Sequence, residues 1–158
     1  MKQVYAPAES GRSINRTRMH FHYTVSGDDF SRAGEASAEI KKHLQRLGLP
    51  AELVKRTAVA MYEAEINMVI HAGGGEADVD IATDGITIVM KDNGPGIADL
   101  DQAMQDGWSS APELVQQLGF GAGMGLPNMK SNSDELVIDS APGKGTTVTM
   151  HIRLPDTP

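Results

Sequence analysis

No cysteine occurs in the 158 residues, which excludes a disulfide framework and a thiolate metal site and is compatible with a reducing cytoplasm. Aromatics are scarce, at one Trp, three Tyr and three Phe. That removes the stacking platform on which single-stranded nucleic acids are usually held. No apolar run approaches the roughly 18 residues of a membrane span, and residues 1–10 lack the apolar core of a signal peptide. The expectation is a cytoplasmic protein with no membrane and no direct nucleic-acid partner. Positive charge is short as well: the net charge is −7, and phosphate backbones are bound by clustered Lys and Arg. Between Lys91 and Lys130 there is no Lys or Arg, whereas Asp99, Asp101, Asp106 and Glu113 fall in that stretch. The exception is the start, where Lys2, Arg12, Arg16 and Arg18 face the single acid Glu9. Residues 1–18 therefore read as a basic, flexible arm on an acidic body.

What is present suits one domain, since 40% apolar residues can build a normal core. His20 to Val25 alternates and is rich in strand formers. His20 and His22 share one side of that strand, but with no third ligand nearby a solvated face is expected in place of a metal site. Asp28 and Asp29 can cap a helix expected over residues 30–47, where Ala33, Ala36, Ile40, Leu44 and Leu47 recur at helical spacing. Leu49-Pro50 restarts the chain into a second helix over 51–72, closed by Gly73-Gly74-Gly75. Residues 77–82 and 86–90 read as a hairpin through Thr83-Asp84-Gly85. From 98 to 120 only short helices are expected, near 100–105 and 112–118, and long segments of that kind usually serve as lids or binding loops. A third helix over 126–131 and strands over 135–139 and 146–154 complete a domain of residues 19–155, with 156–158 as a tail.

Chemistry enters at three places. On the second helix Glu63, Asn67 and His71 stand at i, i+4 and i+8, hence on one face. Val59, Tyr62, Ile66, Val69 and Ile70 form an apolar arc beside them, which puts Glu63 at the edge of the buried side and Glu65 nearly opposite. Asp92-Asn93-Gly94-Pro95-Gly96-Ile97 follows a strand: a carboxylate held at a strand end can accept from a ligand amino group, and glycines let backbone approach the ligand. Gly119, Gly121, Gly123 and Gly125 alternate with Phe120, Ala122 and Met124 and run into a helix start, an arrangement suited to an anion. The turn Gly143-Lys144-Gly145-Thr146 is not a P-loop, because the glycine spacing is absent and a strand follows.

Together these elements closely resemble the GHKL ATPase superfamily over roughly residues 23–154. Glu63-Ala64-Glu65-Ile66-Asn67 is similar to the family's asparagine box, residues 92–97 to its first glycine box, residues 121–128 to its second, and Gly143 to Thr147 to its late threonine motif. Within the superfamily, Phe30-Ser31-Arg32-Ala33-Gly34-Glu35-Ala36-Ser37 and Gly121-Ala122-Gly123-Met124-Gly125-Leu126-Pro127-Asn128 resemble the bacterial anti-sigma factor/serine kinase group, the switch kinases of stress and sporulation circuits. The resemblance implies an α+β fold: a two-layer α/β sandwich of the Bergerat type, mainly antiparallel, with helices on one face and an ATP lid. It further implies ATP and Mg²⁺ as cofactors. Asp92 would read adenine with help from Thr146, Asn67 would ligate Mg²⁺, and Glu63 would act as general base. Gly94, Gly96, Ile97, Gly121, Gly123, Met124, Gly125 and Leu126 would line the nucleotide.

The implied function is a serine/threonine protein kinase acting on a small STAS-domain, anti-anti-sigma-like partner, with a sigma factor as a further partner and a homodimer as the plausible assembly. An ATP-gated module that sequesters a sigma factor without obligatory catalysis is the alternative. A detached histidine-kinase catalytic domain fits less well, because no dimerising helix with a phosphoacceptor His precedes the core.

Overall fold

The computed structural model describes residues 2–5, 18–105 and 125–155. Among them the chain forms β1 (Lys2–Tyr5), β2 (Met19–Ser26), α1 (Glu35–Arg46), α2 (Ala51–Ala72), β3 (Gly74–Ile81), β4 (Gly85–Asp92), α3 (Leu100–Ala103), α4 (Gly125–Ser131), β5 (Glu135–Ser140) and β6 (Thr146–Arg153). The six strands make a single sheet in the order β1-β5-β6-β4-β3-β2. Every neighbouring pair is antiparallel.

One face of that sheet is apolar at the strand period of two. Ala77, Val79 and Ile81 on β3, Ile86, Ile88 and Met90 on β4, Leu136 and Ile138 on β5, and Val148, Met150 and Ile152 on β6 are all buried. Against them pack Met61, Met68 and Val69 of α2, Ile40 and Leu44 of α1, and Leu126 and Met129 of α4. Burying each such Ile, Leu or Met contributes about 1.5–3 kcal/mol. That is how a chain poor in aromatics still builds a core. The intervening residues, among them Asp78, Asp80, Thr87, Val89 and Thr149, remain partly accessible, so the helices occupy one face and the architecture is the expected α+β sandwich.

On the open face, His20 places Nδ1 at 3.0 Å from Asp80 and Nε2 at 3.1 Å from Asp78, while His22 Nδ1 lies 2.9 Å from Asp78. These histidines tie β2 to β3. Among the described residues no group of three or more His, Asp or Glu is placed to hold a metal ion.

The structure differs from the expectations at three places. The opening segment is not loose throughout, since Lys2–Tyr5 extends the sheet with Val4 in register with Val137. A four-residue strand with no buried residue carries too little pattern to announce itself; Tyr5 packs against the core with the Lys130 ammonium 5.6 Å over its ring. The helix expected over 30–47 is broken. A 3₁₀ turn at Phe30–Arg32 ends at an extended Ala33, and Gly34 adopts φ 95° before α1 begins. That left-handed conformation is open to glycine and strained for other residues, and hydrophobic spacing does not register it.

The third difference is Glu65, which does not face away from the interior. It is 2% exposed and accepts from the N–H groups of Gly34 at 2.9 Å, Ala36 at 3.2 Å and Ser37 at 2.9 Å. The first N–H groups of a helix have no partner within it. Gly34, at the cap position, has no side chain to supply one, so Glu65 does so from α2. The apolar arc misled because α2 is covered by the sheet on one side and by α1 on the other.

Candidate functional site

One half of the site is built on α2. Glu63, Asn67 and His71 are all half-buried along one face. The first turn of α4 lies against that face: a Cβ added to Gly125 would stand 3.2 Å from both Oδ1 and Nδ2 of Asn67. One turn further on, Asn128 donates its Nδ2–H to Glu63 Oε1 at 3.2 Å. Leu126 and Met129, which flank this contact, are buried in the core at 6% and 0% exposure, so Leu126 anchors the helix with its side chain.

The other half is built on the end of β4. Asp92 Oδ1 accepts from Gly94 N at 2.9 Å and from Thr146 N at 3.1 Å, which orients the carboxylate and leaves its second oxygen without a protein hydrogen bond among the described residues. Gly94 abuts the end of α2, where an added Cβ would stand 2.6 Å from the Ala72 Cβ. Gly96 has φ 78°, and a Cβ there would fall 2.1 Å from the Ala141 carbonyl oxygen. Beside it, Gly143 N donates to Pro95 O at 2.7 Å. Ile97 N donates to Ser140 Oγ at 2.8 Å, and that hydroxyl lies 2.9 Å from Thr146 Oγ1. Asp92, Gly94, Gly96, Ile97 and Thr146 are thereby gathered into two interlocked turns.

His71 joins the halves. It stands one helical turn beyond Asn67; burial pushes its imidazole pKa down, and the nearby Asp92 carboxylate acts in the opposite sense. From Glu63 to His71 the helix rises about 12 Å, a span that the terminal phosphate and the base of one nucleotide can bridge. At one end the site offers a carboxylate that can take a proton and an amide oxygen for a hard cation, and at the other a fixed acceptor for an amino group.

Gly121, Gly123 and Met124, and the short helix expected near 112–118, lie outside the described residues. A cavity of about 160 Å³ lined by Tyr23, Arg32, Glu35, Glu39 and Glu65 is a separate feature at the start of α1, smaller than the roughly 300–1,000 Å³ of ligand pockets. Sequence reasoning missed Asn128 and Ser140 as supports of Glu63 and Thr146. Asn128 meets a partner 65 positions away, and Ser140 meets Thr146 only across the β5–β6 turn while also receiving Ile97 N from 43 positions away, so neither contact leaves a periodic trace. For Asn128 the one available signal was its place, just after the Gly125-Leu126-Pro127 helix start.

The family model described as "Histidine kinase-like ATPase domain" matches residues 28–152. Among curated relatives, an anti-sigma F factor of Clostridium novyi (strain NT) is 30% identical over 148 residues, covering 90% of this chain and 96% of the relative. A serine/threonine-protein kinase RsbT of Bacillus subtilis (strain 168) is 33% identical over 97 residues, covering 59% of this chain and 67% of that one. The crystal structure of the RsbU and RsbW domains of Rv1364c from Mycobacterium tuberculosis superposes with a TM-score of 0.60 at 19% identity, covering 88% of this chain and 33% of that one. The last likeness is one of fold, and this chain spans about a third of that longer protein.

Proposed function

The chain belongs to the histidine kinase-like ATPase domain family, and from that premise we propose that it is an ATP-dependent serine/threonine protein kinase of the anti-sigma regulatory type. Its acceptor is a small STAS-like regulatory protein of the cytoplasm, with a sigma factor as a second partner. The observation that carries the reading is the pairing of Glu63 and Asn67 against one turn of α4 while Asp92 is fixed at the far end of the same helix face. Asp92 accepts from the adenine amino group. Asn67 fits Mg²⁺, a hard cation that takes few protein ligands and keeps waters and phosphate oxygens; when bound, the ion neutralises developing phosphate charge. Glu63 takes the proton of the acceptor hydroxyl.

A second reading, a nucleotide-gated module that holds a sigma factor without turnover, is favoured by one observation. Lys130, the first Lys or Arg after Lys91, has its ammonium over the Tyr5 ring. The positive charge for a triphosphate is then left to Mg²⁺, backbone N–H groups or a partner, so isolated chain is expected to hydrolyse ATP slowly or not at all.

The experiment is transfer of label from γ-labelled ATP with Mg²⁺ into proteins of a source-cell extract, using wild type and Glu63→Gln. An acid-stable labelled band that requires Glu63 is the expected result and delivers the acceptor for sequencing. Equal ATP binding by both proteins with no band transfers the conclusion to the gated module.

A further inference from the structure

We propose that Asn128 is a positioning residue for Glu63: it holds one carboxylate oxygen so that the other meets the acceptor hydroxyl. This rests on the kinase reading above and adds a residue to it. Three features of the structure carry it. First, Asn128 Nδ2 donates to Glu63 Oε1 at 3.2 Å in a part-buried setting, where a carboxylate accepts only. Second, the contact belongs to a register. Gly125 lies opposite Asn67 and Asn128 opposite Glu63, so positions three apart on α4 meet positions four apart on α2, and a single helical turn addresses both side chains. Third, that turn is anchored. Leu126 and Met129 are fixed in the core, and the carbonyl of Asn128 accepts from Asn132 Nδ2 at 2.8 Å.

The chemistry explains the choice of an amide. A glutamate has three side-chain torsions and in a half-buried place samples several rotamers, whereas a general base must stand about 2.6–3.2 Å from the proton it removes. Holding Oε1 leaves Oε2 as the base. As the hydroxyl oxygen bonds to the γ-phosphorus, its proton passes to Oε2. The bond from that phosphorus to the bridging oxygen breaks, and its electron pair leaves with ADP. Oε1 is an acceptor both before and after protonation of the acid, so the Asn128 bond persists through the step. A Lys or Arg at position 128 would also orient Glu63, but its full charge would oppose proton uptake more strongly than a neutral donor does.

The test uses the full chain, Mg²⁺-ATP and the labelled acceptor protein, with wild type, Asn128→Ala, Asn128→Gln, Asn128→Asp and Glu63→Gln. Transfer rate, ATP affinity and melting temperature are measured for each. Asn128→Ala is expected to slow transfer by about tenfold to a hundredfold, the scale of an ångström of misplacement, with ATP affinity and melting temperature at wild-type values. Asn128→Gln, with the donor retained on a longer arm, is expected to recover part of the rate. Asn128→Asp sets two carboxylates against each other, which then share a proton, so its rate is expected to carry a pH dependence absent from wild type.

Asn128→Ala transferring at the wild-type rate overturns the inference, as does a loss of ATP affinity and melting temperature in step with rate, the mark of a merely structural contact. Glu63→Gln transferring like wild type removes the base itself, and a wild-type chain that binds ATP yet labels no acceptor removes the kinase reading. Either outcome overturns this inference with its foundation and is distinguishable from a failure confined to Asn128.

Discussion

Glu63 and Glu65 are separated by one residue, yet the structure gives them unrelated partners, and paired substitutions separate their contributions. The Glu65 carboxylate receives Gly34 N and Ala36 N on Oε2 and Ser37 N on Oε1. Glu65→Gln can keep a carbonyl on one side only, and on the other it turns an amide donor toward a backbone donor. Hydrogen bonds to a charged group are worth about 1.5–3 kcal/mol each, so the expected cost is about 2–3 kcal/mol. In a chain of this size that lowers the melting temperature by about 4–12 °C. Glu65→Ala orphans every one of these N–H groups and should cost more, about 3–5 kcal/mol after allowing for non-additivity. Glu63→Gln still accepts from Asn128 through its carbonyl and is expected to stay within about 0.5 kcal/mol of wild type, while transfer falls by about 10²–10⁴. Urea unfolding supplies the stabilities. Amide exchange of Ala36 and Ser37 localises the effect, because opening should be confined to the start of α1. A Glu65→Gln protein as stable as wild type, with those amides equally protected, would refute the capping argument.

Gly96→Ala is expected to destabilise the chain by more than about 2 kcal/mol, because it combines left-handed backbone with a main-chain clash; it should also weaken ATP binding, and unfolding followed by calorimetric titration checks both. On the open face of the sheet, both ring nitrogens of His20 are directed at carboxylates, which requires the doubly protonated ring. Its pKa is raised, first by the hydrogen bond to Asp80. The stability this pairing contributes is therefore complete below the ordinary histidine value of 6.5 and is lost as pH rises through the elevated one. Unfolding followed across that window should show the loss in wild type and not in His20→Gln, and an NMR midpoint for His20 at or below the ordinary value sinks the argument.

Much of the candidate site's geometry could be read from the chain because its spacing is local. Glu63 and Asn67 declare themselves by helical spacing on α2, whose observed limits are Ala51–Ala72, and Asp92 declares itself by a strand running into a Gly/Pro turn. The helix break at Gly34 and the inward turn of Glu65 were hidden together. Each exists because of the other: the carboxylate caps a helix that starts where the glycine lets it start. Hydrophobic spacing reports which side of a helix is apolar, and α2, enclosed on two sides, has interior positions that are polar. β1 escaped notice because its pairing depends on β5, more than a hundred positions away in the chain, and Asn128 because its partner lies on another helix.

The two turns around Asp92 are joined main chain to main chain, through Gly143 N on Pro95 O and the close approach of Gly96 to Ala141 O. Asn93, Pro95, Pro142 and Lys144 are all exposed around that joint. The position of the carboxylate is thus insulated from the identity of the side chains that rim it. Those exposed positions form a tunable collar: substitutions there reshape and recharge the approach to this end of the candidate site while the Asp92 carboxylate stays where it is. In mutational drift or in design, the surface at this end can change with the main-chain joint kept, whereas the glycines that make the joint have no such freedom.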